Sequence, residues 1–158
     1  MQEKPVSASE ITMNQLMLPV HANALGNVHG GLIMKMVDET GAIAAMRHAG
    51  KPCVTIAIDS MTFHSPVHIG ELVCCQAQVT YVGKSSIEVE VKVHAENAIT
   101  GNITHTNSAY VVYVALDDHG RPTPVPGLTL LTDEERQRAA EAKSRQEYRL
   151  LQAKTHRA

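Results

Sequence analysis

Tryptophan is absent from this 158-residue chain and Phe63 is its only phenylalanine. No aromatic cluster can therefore anchor the interior, and the core must rest on Val, Ile, Leu, Met and Ala. No apolar run approaches the ~20 residues that a membrane-crossing helix needs. The start, Met1-Gln2-Glu3-Lys4-Pro5, lacks the basic region and apolar stretch of a secretion signal. An excess of one charge is missing too: 14 Lys and Arg stand against 16 Asp and Glu, leaving −2 and no basic footprint for nucleic acid. Cys53, Cys74 and Cys75 are odd in number, and two are neighbours that point opposite ways in a strand. They are read as reduced, buried, small apolar residues of a cytoplasmic protein rather than a disulfide frame. A Gly-x-Ser-x-Gly elbow is also missing, which argues against a serine hydrolase. His64 and His68 bracket Pro66, which prevents the helical face that a metal-binding pair would use, so no metal is expected.

What is present is enough apolar residue, 44% of the chain, to build one ordinary domain. Residues 1–9 read as a polar, flexible tail, 10–131 as the folded domain and 132–158 as a C-terminal helix. Glu10 to Leu18 has the loose alternation of a first strand, and Pro19 to Val28 reads as a loop. From Gly30 to about His48 the residues Ile33, Met36, Val37, Ile43 and Ala44 recur at helical steps, and Gly50 and Pro52 supply the stop. The period then changes. Cys53–Phe63, Leu72–Val82, Ser86–Glu96 and Ile103–Leu116 are rich in Val, Ile, Thr and Tyr and fit strands. Ile87 to His94 alternates strictly, which predicts one face on the core and the other in water. Short turns between the strands favour antiparallel pairing. Thr132-Asp133-Glu134-Glu135 carries a capping-box pattern that opens the last helix, either packed on the domain or solvated.

The stretch that carries chemistry is Asn23-Ala24-Leu25-Gly26-Asn27-Val28-His29-Gly30-Gly31, followed by Asp38 on the helix. A glycine pair at a helix start leaves N–H groups of Gly30 and Gly31 at the positive end of the dipole, suited to a developing oxyanion. Helical periodicity sets Asp38 in line with Met34, Gly41, Ala42 and Ala45, beside the apolar face, whereas Glu39 aligns with Lys35 as a surface pair. A carboxylate so placed serves as base or nucleophile at a carbonyl; the structural alternative is a buried acid bonded to backbone. His29 is a loop histidine that is either an imidazole for acid–base work or a packing residue. Gly83-Lys84-Ser85-Ser86 is a short cationic turn, either a plain hairpin or a phosphate contact.

Taken together, Asn23, the Gly26-to-Gly31 block and Met36-Val37-Asp38-Glu39 resemble the hotdog-fold acyl-CoA thioesterases, specifically the cytosolic acyl-CoA hydrolase group. The likeness continues through Asp59-Ser60-Met61-Thr62-Phe63, Pro66-Val67, Gly70-Glu71, the Gly83-to-Val89 segment and the Tyr110-to-Leu116 strand, covering roughly residues 10–150. The resemblance implies an α+β hotdog: a five-stranded antiparallel sheet wrapped around a long central helix, paired as dimers and assembled as a homohexamer, a trimer of dimers. It implies hydrolysis of fatty acyl-CoA to free acid and CoA at the dimer interface, with no cofactor, CoA being part of substrate and product. Asp38 falls on the family's acidic residue and Asn23 on its upstream asparagine, which orients water or thioester. Gly30 and Gly31 would then bind the carbonyl oxygen. Lys84, Ser85 and Ser86 are candidates for CoA phosphates, and Met34 and Phe63 for the acyl pocket. Two alternatives stay open: a hydratase or dehydratase of acyl thioesters using His29, and a non-catalytic acyl-CoA sensor.

Overall fold

Helix α1, Gly30–Ala49, starts where His29 Nδ1 accepts the N–H of Gly31 at 3.0 Å and stops at Gly50, whose positive φ closes the last turn. A computed structural model describes residues 1–59 and 61–157 of the chain. Strands β1 (Lys4–Pro5), β2 (Ile11–Leu16), β3 (Cys53–Asp59), β4 (Leu72–Val82), β5 (Ser86–Glu96), β6 (Ile103–Ala115) and β7 (Leu128–Thr129) accompany it, with helix α2 spanning Asp133–His156. Five strands form one antiparallel sheet in the order β2-β4-β5-β6-β3. β1 and β7 make a separate parallel pair. The inner face of the sheet curls on α1. Ile33, Met36, Val37, Ala44 and Ala45 of the helix meet Val73, Cys75, Val89, Val91, Val93 and Val111, with Tyr113 the largest fully buried side chain. Each fully buried valine adds about 1.5–3 kcal/mol, so the aromatic-poor core is replaced by a dense layer of branched residues.

Several expectations need correction. Residues 4–9 are not a loose tail: Lys4 and Pro5 pair with Leu128 and Thr129, and Val6 and Ser9 are buried. Ser9 Oγ accepts the N–H of Val79 at 3.0 Å and donates to the Val6 carbonyl at 2.8 Å, which explains why a polar residue is tolerated there. Cys75 is buried, but Cys53 and Cys74 are only half-buried; all three are free thiols. β3 ends at Asp59, so Met61, Thr62 and Phe63, read as strand, lie outside it; Ser60 is outside the described residues.

The largest correction concerns β5. Glu88 and Glu90 on its outward face do not meet water, because α2 lies across them, while Lys92 and His94 further along stay partly exposed. The side chain of Glu88 is wholly buried. Arg145 holds both its oxygens, Nη2 to Oε1 at 2.8 Å and Nε to Oε2 at 3.1 Å, and Thr80 Oγ1 donates to Oε1 at 2.7 Å. Arg145 also stacks 3.6 Å above the ring of Tyr110, whose hydroxyl donates to Glu90. A charge inside a sandwich is tolerated only when paired and fully bonded. Both conditions are met here, and they fix α2 to the sheet. Its capping box forms as the sequence predicts, with Thr132 Oγ1 accepting from Glu135 N and Glu135 Oε2 accepting from Thr132 N.

β3 is an edge strand and carries a bulge. Thr55 stands opposite Tyr113 and Ala57 opposite Val112, which leaves Ile56 without a partner and 61% exposed. Strict alternation would put Thr55, Ala57 and Asp59 on one face. The extra residue instead turns Thr55 toward α1, while Ala57 and Asp59 face α2.

Candidate active site

Asp38 is half-buried two turns into α1, and the bulge of β3 delivers its first partner. Thr55 Oγ1 donates to Asp38 Oδ1 at 2.7 Å. The second comes from the core: the buried Tyr113 hydroxyl is shared between the Asp38 carbonyl at 2.9 Å and Oδ1 at 3.3 Å. Burial foremost, then the neighbouring Asp38 charge and hydrogen bond, push the Tyr113 phenol far above its ordinary value. It therefore stays a protonated donor at any working pH. Both donors converge on Oδ1. Gly41 makes this approach possible, since the ring of Tyr113 occupies the space that a side chain there would take. Lys35 and Glu39 form the expected exposed pair at 3.5 Å on the other side of the helix.

Asn23 lies in a second place, a cleft of about 240 Å³ lined by Gly30, Ile33, Phe63, His64 and Val67 among others. Its Oδ1 accepts the N–H groups of Leu25 at 2.9 Å and Asn27 at 3.2 Å, an Asx-type turn that leaves the Nδ2 end to donate. Phe63 packs against Gly30, 3.7 Å from where a Cβ would stand. The cleft therefore joins the asparagine, the helix start and the one phenylalanine, but it does not include Asp38. Within one protomer the two candidate catalytic residues belong to different surfaces.

Gly31, Met34, Lys84, Ser85 and Ser86 do not line this cleft. The Gly31 N–H is not free for an oxyanion, because it donates to His29 Nδ1; Gly30 remains on the cleft. Histidine is not among the preferred helix caps, so this use of His29 is invisible to capping rules. Met34 is 43% exposed and does not line the cleft. Lys84 and Ser85 lie in the β4–β5 turn and Ser86 opens β5. The carbonyls of Lys84 and Ser85 accept from Val125 and Ala115, and Ser86 Oγ lies 3.4 Å from Gln146 Nε2. Among the described residues no group of three or more His, Cys, Asp or Glu is arranged to hold a metal, and no helix is long and apolar enough to cross a membrane. Thr55 and Tyr113 were missed from sequence, although each holds the carboxylate directly.

A single helix embraced by a five-stranded antiparallel sheet, with an acid held at its edge strand, defines a hotdog-fold domain. The model of the thioesterase superfamily matches residues 25–102. A Bacillus subtilis protein named as an uncharacterized acyl-CoA thioester hydrolase, YkhA, is 35% identical over 147 residues, covering 89% of this chain and 86% of its own. A solved apo-hexameric acyl-CoA thioesterase superposes with a TM-score of 0.92 at 37% identity over 97% of this chain and 98% of that one. The acyl-CoA hydrolase of Staphylococcus aureus, solved with butyryl-CoA and CoA, superposes with a TM-score of 0.90 at 33% identity, over 98% and 94% of the two chains. The chain belongs to the acyl-CoA thioester hydrolase family.

Proposed function

We propose that this protein hydrolyses fatty acyl-CoA thioesters to free acid and CoA in the cytoplasm, using Asp38 as general base or nucleophile. The observation that carries the reading is the fixing of the Asp38 carboxylate through Oδ1 alone, by Thr55 and Tyr113. The other oxygen, Oδ2, is then the one presented to water or to the thioester carbon, and two donors keep the group from rotating away. A further support lies in the Staphylococcus aureus enzyme, which has been solved with an asparagine, an aspartate and a threonine each replaced by alanine. Those three positions stand 15 and 17 residues apart, the same intervals that separate Asn23, Asp38 and Thr55.

In this reading the site is completed between protomers. The Asn23 cleft of one subunit faces the Asp38 edge of its partner, Asn23 Nδ2 donates to water or to the thioester, and the Gly30 N–H faces the carbonyl oxygen. A well-placed donor of this kind contributes about 2.7–4 kcal/mol. Phe63 lines the acyl path, and Lys84 is the turn residue suited to a CoA phosphate. Hexameric relatives support assembly as a trimer of dimers. His29, the base that a hydratase would need, spends Nδ1 on capping α1.

Thiol release from a panel of saturated acyl-CoAs, read with a disulfide reagent, tests the activity: a hydratase or a sensor releases none. Asp38→Asn should lower kcat by at least ~10²-fold with the fold intact. Mixed Asn23→Ala and Asp38→Asn subunits should regain activity after exchange. Full turnover by folded Asp38→Asn protein would sink the assignment, and no recovery after proven exchange would sink the shared site.

A further inference from the structure

We infer that Arg149, on the far side of the sheet from the reacting carboxylate, is a positioning residue for hydrolysis: by holding Asp59 it keeps the bulged strand β3 in the register that presents Thr55 to Asp38. The inference rests on the role proposed above for Asp38.

Arg145 alone satisfies both oxygens of Glu88, with Thr80 adding a third bond. Arg149 Nη1 sits 3.5 Å from Glu88 Oε2 and makes its closer contact with Asp59 Oδ2. Its Nη2 is buried without a hydrogen-bond partner among the described residues, an arrangement that costs about 1–3 kcal/mol. A guanidinium used only to hold α2 down would be better placed where all its donors are satisfied. What its position secures is the end of β3.

That strand needs securing. It pairs with β6 on one side only, and Ile56 stands out of the ladder. A bulge at an edge can slide by one residue unless something pins the strand beyond it. Asp59 is the last residue of β3, four residues past Thr55, and the Arg149 contact is that pin. The same contact anchors the start of the segment that runs on to Phe63, His64 and Val67, which line the Asn23 cleft. One guanidinium thus fixes the partner of Asp38 upstream and the wall of the cleft downstream. A misplacement of about 1 Å at a reacting group can cost ~10²-fold in rate.

The test is steady-state thiol release by the full-length protein. Arg149→Met should lower kcat about tenfold while KM stays within about twofold. Arg149→Lys, still able to reach Asp59, should restore most of the loss. Thr132→Ala, which weakens α2 at its first turn without touching Arg149, Glu88 or β3, should lower the melting temperature and leave kcat near the parent. The deciding measurement is a cycle with Thr55→Val: about tenfold on its own, it should add less than about twofold in the Arg149→Met background. If Arg149→Met does not fold, Asp59→Asn carries the same cycle. Multiplying effects, or a Thr132→Ala loss in kcat equal to that of Arg149→Met, would overturn the proposal. Asp38→Asn measured alongside separates the two claims: retained turnover there overturns the Asp38 assignment, whereas its loss together with multiplying effects overturns the Arg149 role alone.

Discussion

Replacing Gly41 with alanine puts the geometry around Asp38 to a quantitative test. Alanine for glycine inside a helix ordinarily gains about 1 kcal/mol. Here a methyl group at that position would overlap the Tyr113 hydroxyl and approach Cζ to 3.2 Å and Cε2 to 3.3 Å. The Tyr113 ring is fully buried and cannot swing into solvent, so the overlap is resolved by forced repacking, typically about 1–3 kcal/mol. The balance is a net loss of about 1 kcal/mol where a gain is the rule. Function should fall further than stability. Moving the phenol removes a hydrogen bond to a charged group, an interaction of about 1.5–3 kcal/mol, or at least ~10-fold in kcat if Asp38 reacts. The urea midpoint at constant slope measures the first effect and thiol release the second. Repeating Gly41→Ala in a Tyr113→Phe background removes the overlapping oxygen, and the stability cost should shrink toward zero. A Gly41→Ala protein more stable than the parent, with Tyr113 in place and kcat unchanged, would refute the reasoning.

His48 predicts a pH effect. Its ring is fully buried with Nε2 2.8 Å from the Pro126 carbonyl; burial pushes its pKa below the ordinary 6.5, the hydrogen bond opposes this, and Lys4 adds to the lowering. As pH falls below about 6.5 the unfolded chain takes up a proton that the folded chain refuses, so stability drops. His48→Gln, which keeps a donor for Pro126, should flatten that acid slope in urea titrations between about pH 5 and 7; an identical slope counts against the account. At the start of α2, Thr132→Ala removes the acceptor for the Glu135 N–H and should lower stability by ~1 kcal/mol, with no change in thiol release. A fall in activity there would mean that α2 acts on the site through its first turn.

Much of the sheet and of α1 was legible because their signals are local. Val89, Val91 and Val93 alternate on the inner face, and the helical steps of Ile33, Met36 and Val37 set Asp38 beside it. Asn23, Gly30 and Phe63 share a cleft. The failures are non-local. Glu88 looks like a solvent residue until Arg145, 57 positions later, arrives over it. Tyr113 and Thr55 are ordinary strand residues by type, and only the bulge at Ile56 decides that Thr55 meets α1. α2 contributes a single buried apolar residue, Ala142, so its docking by charged side chains left no periodic trace.

The bulge makes β3 a segment whose length matters more than its spelling. Most exchanges of the Ile56 side chain leave the phase of the flanking residues untouched. A one-residue deletion or duplication between Thr55 and Asp59 inverts that phase, trading the inward hydroxyl for an outward one or the outward carboxylate for an inward one. Sequence drift along this family should therefore write freely over position 56 while the count of residues between the threonine and the aspartate stays at three.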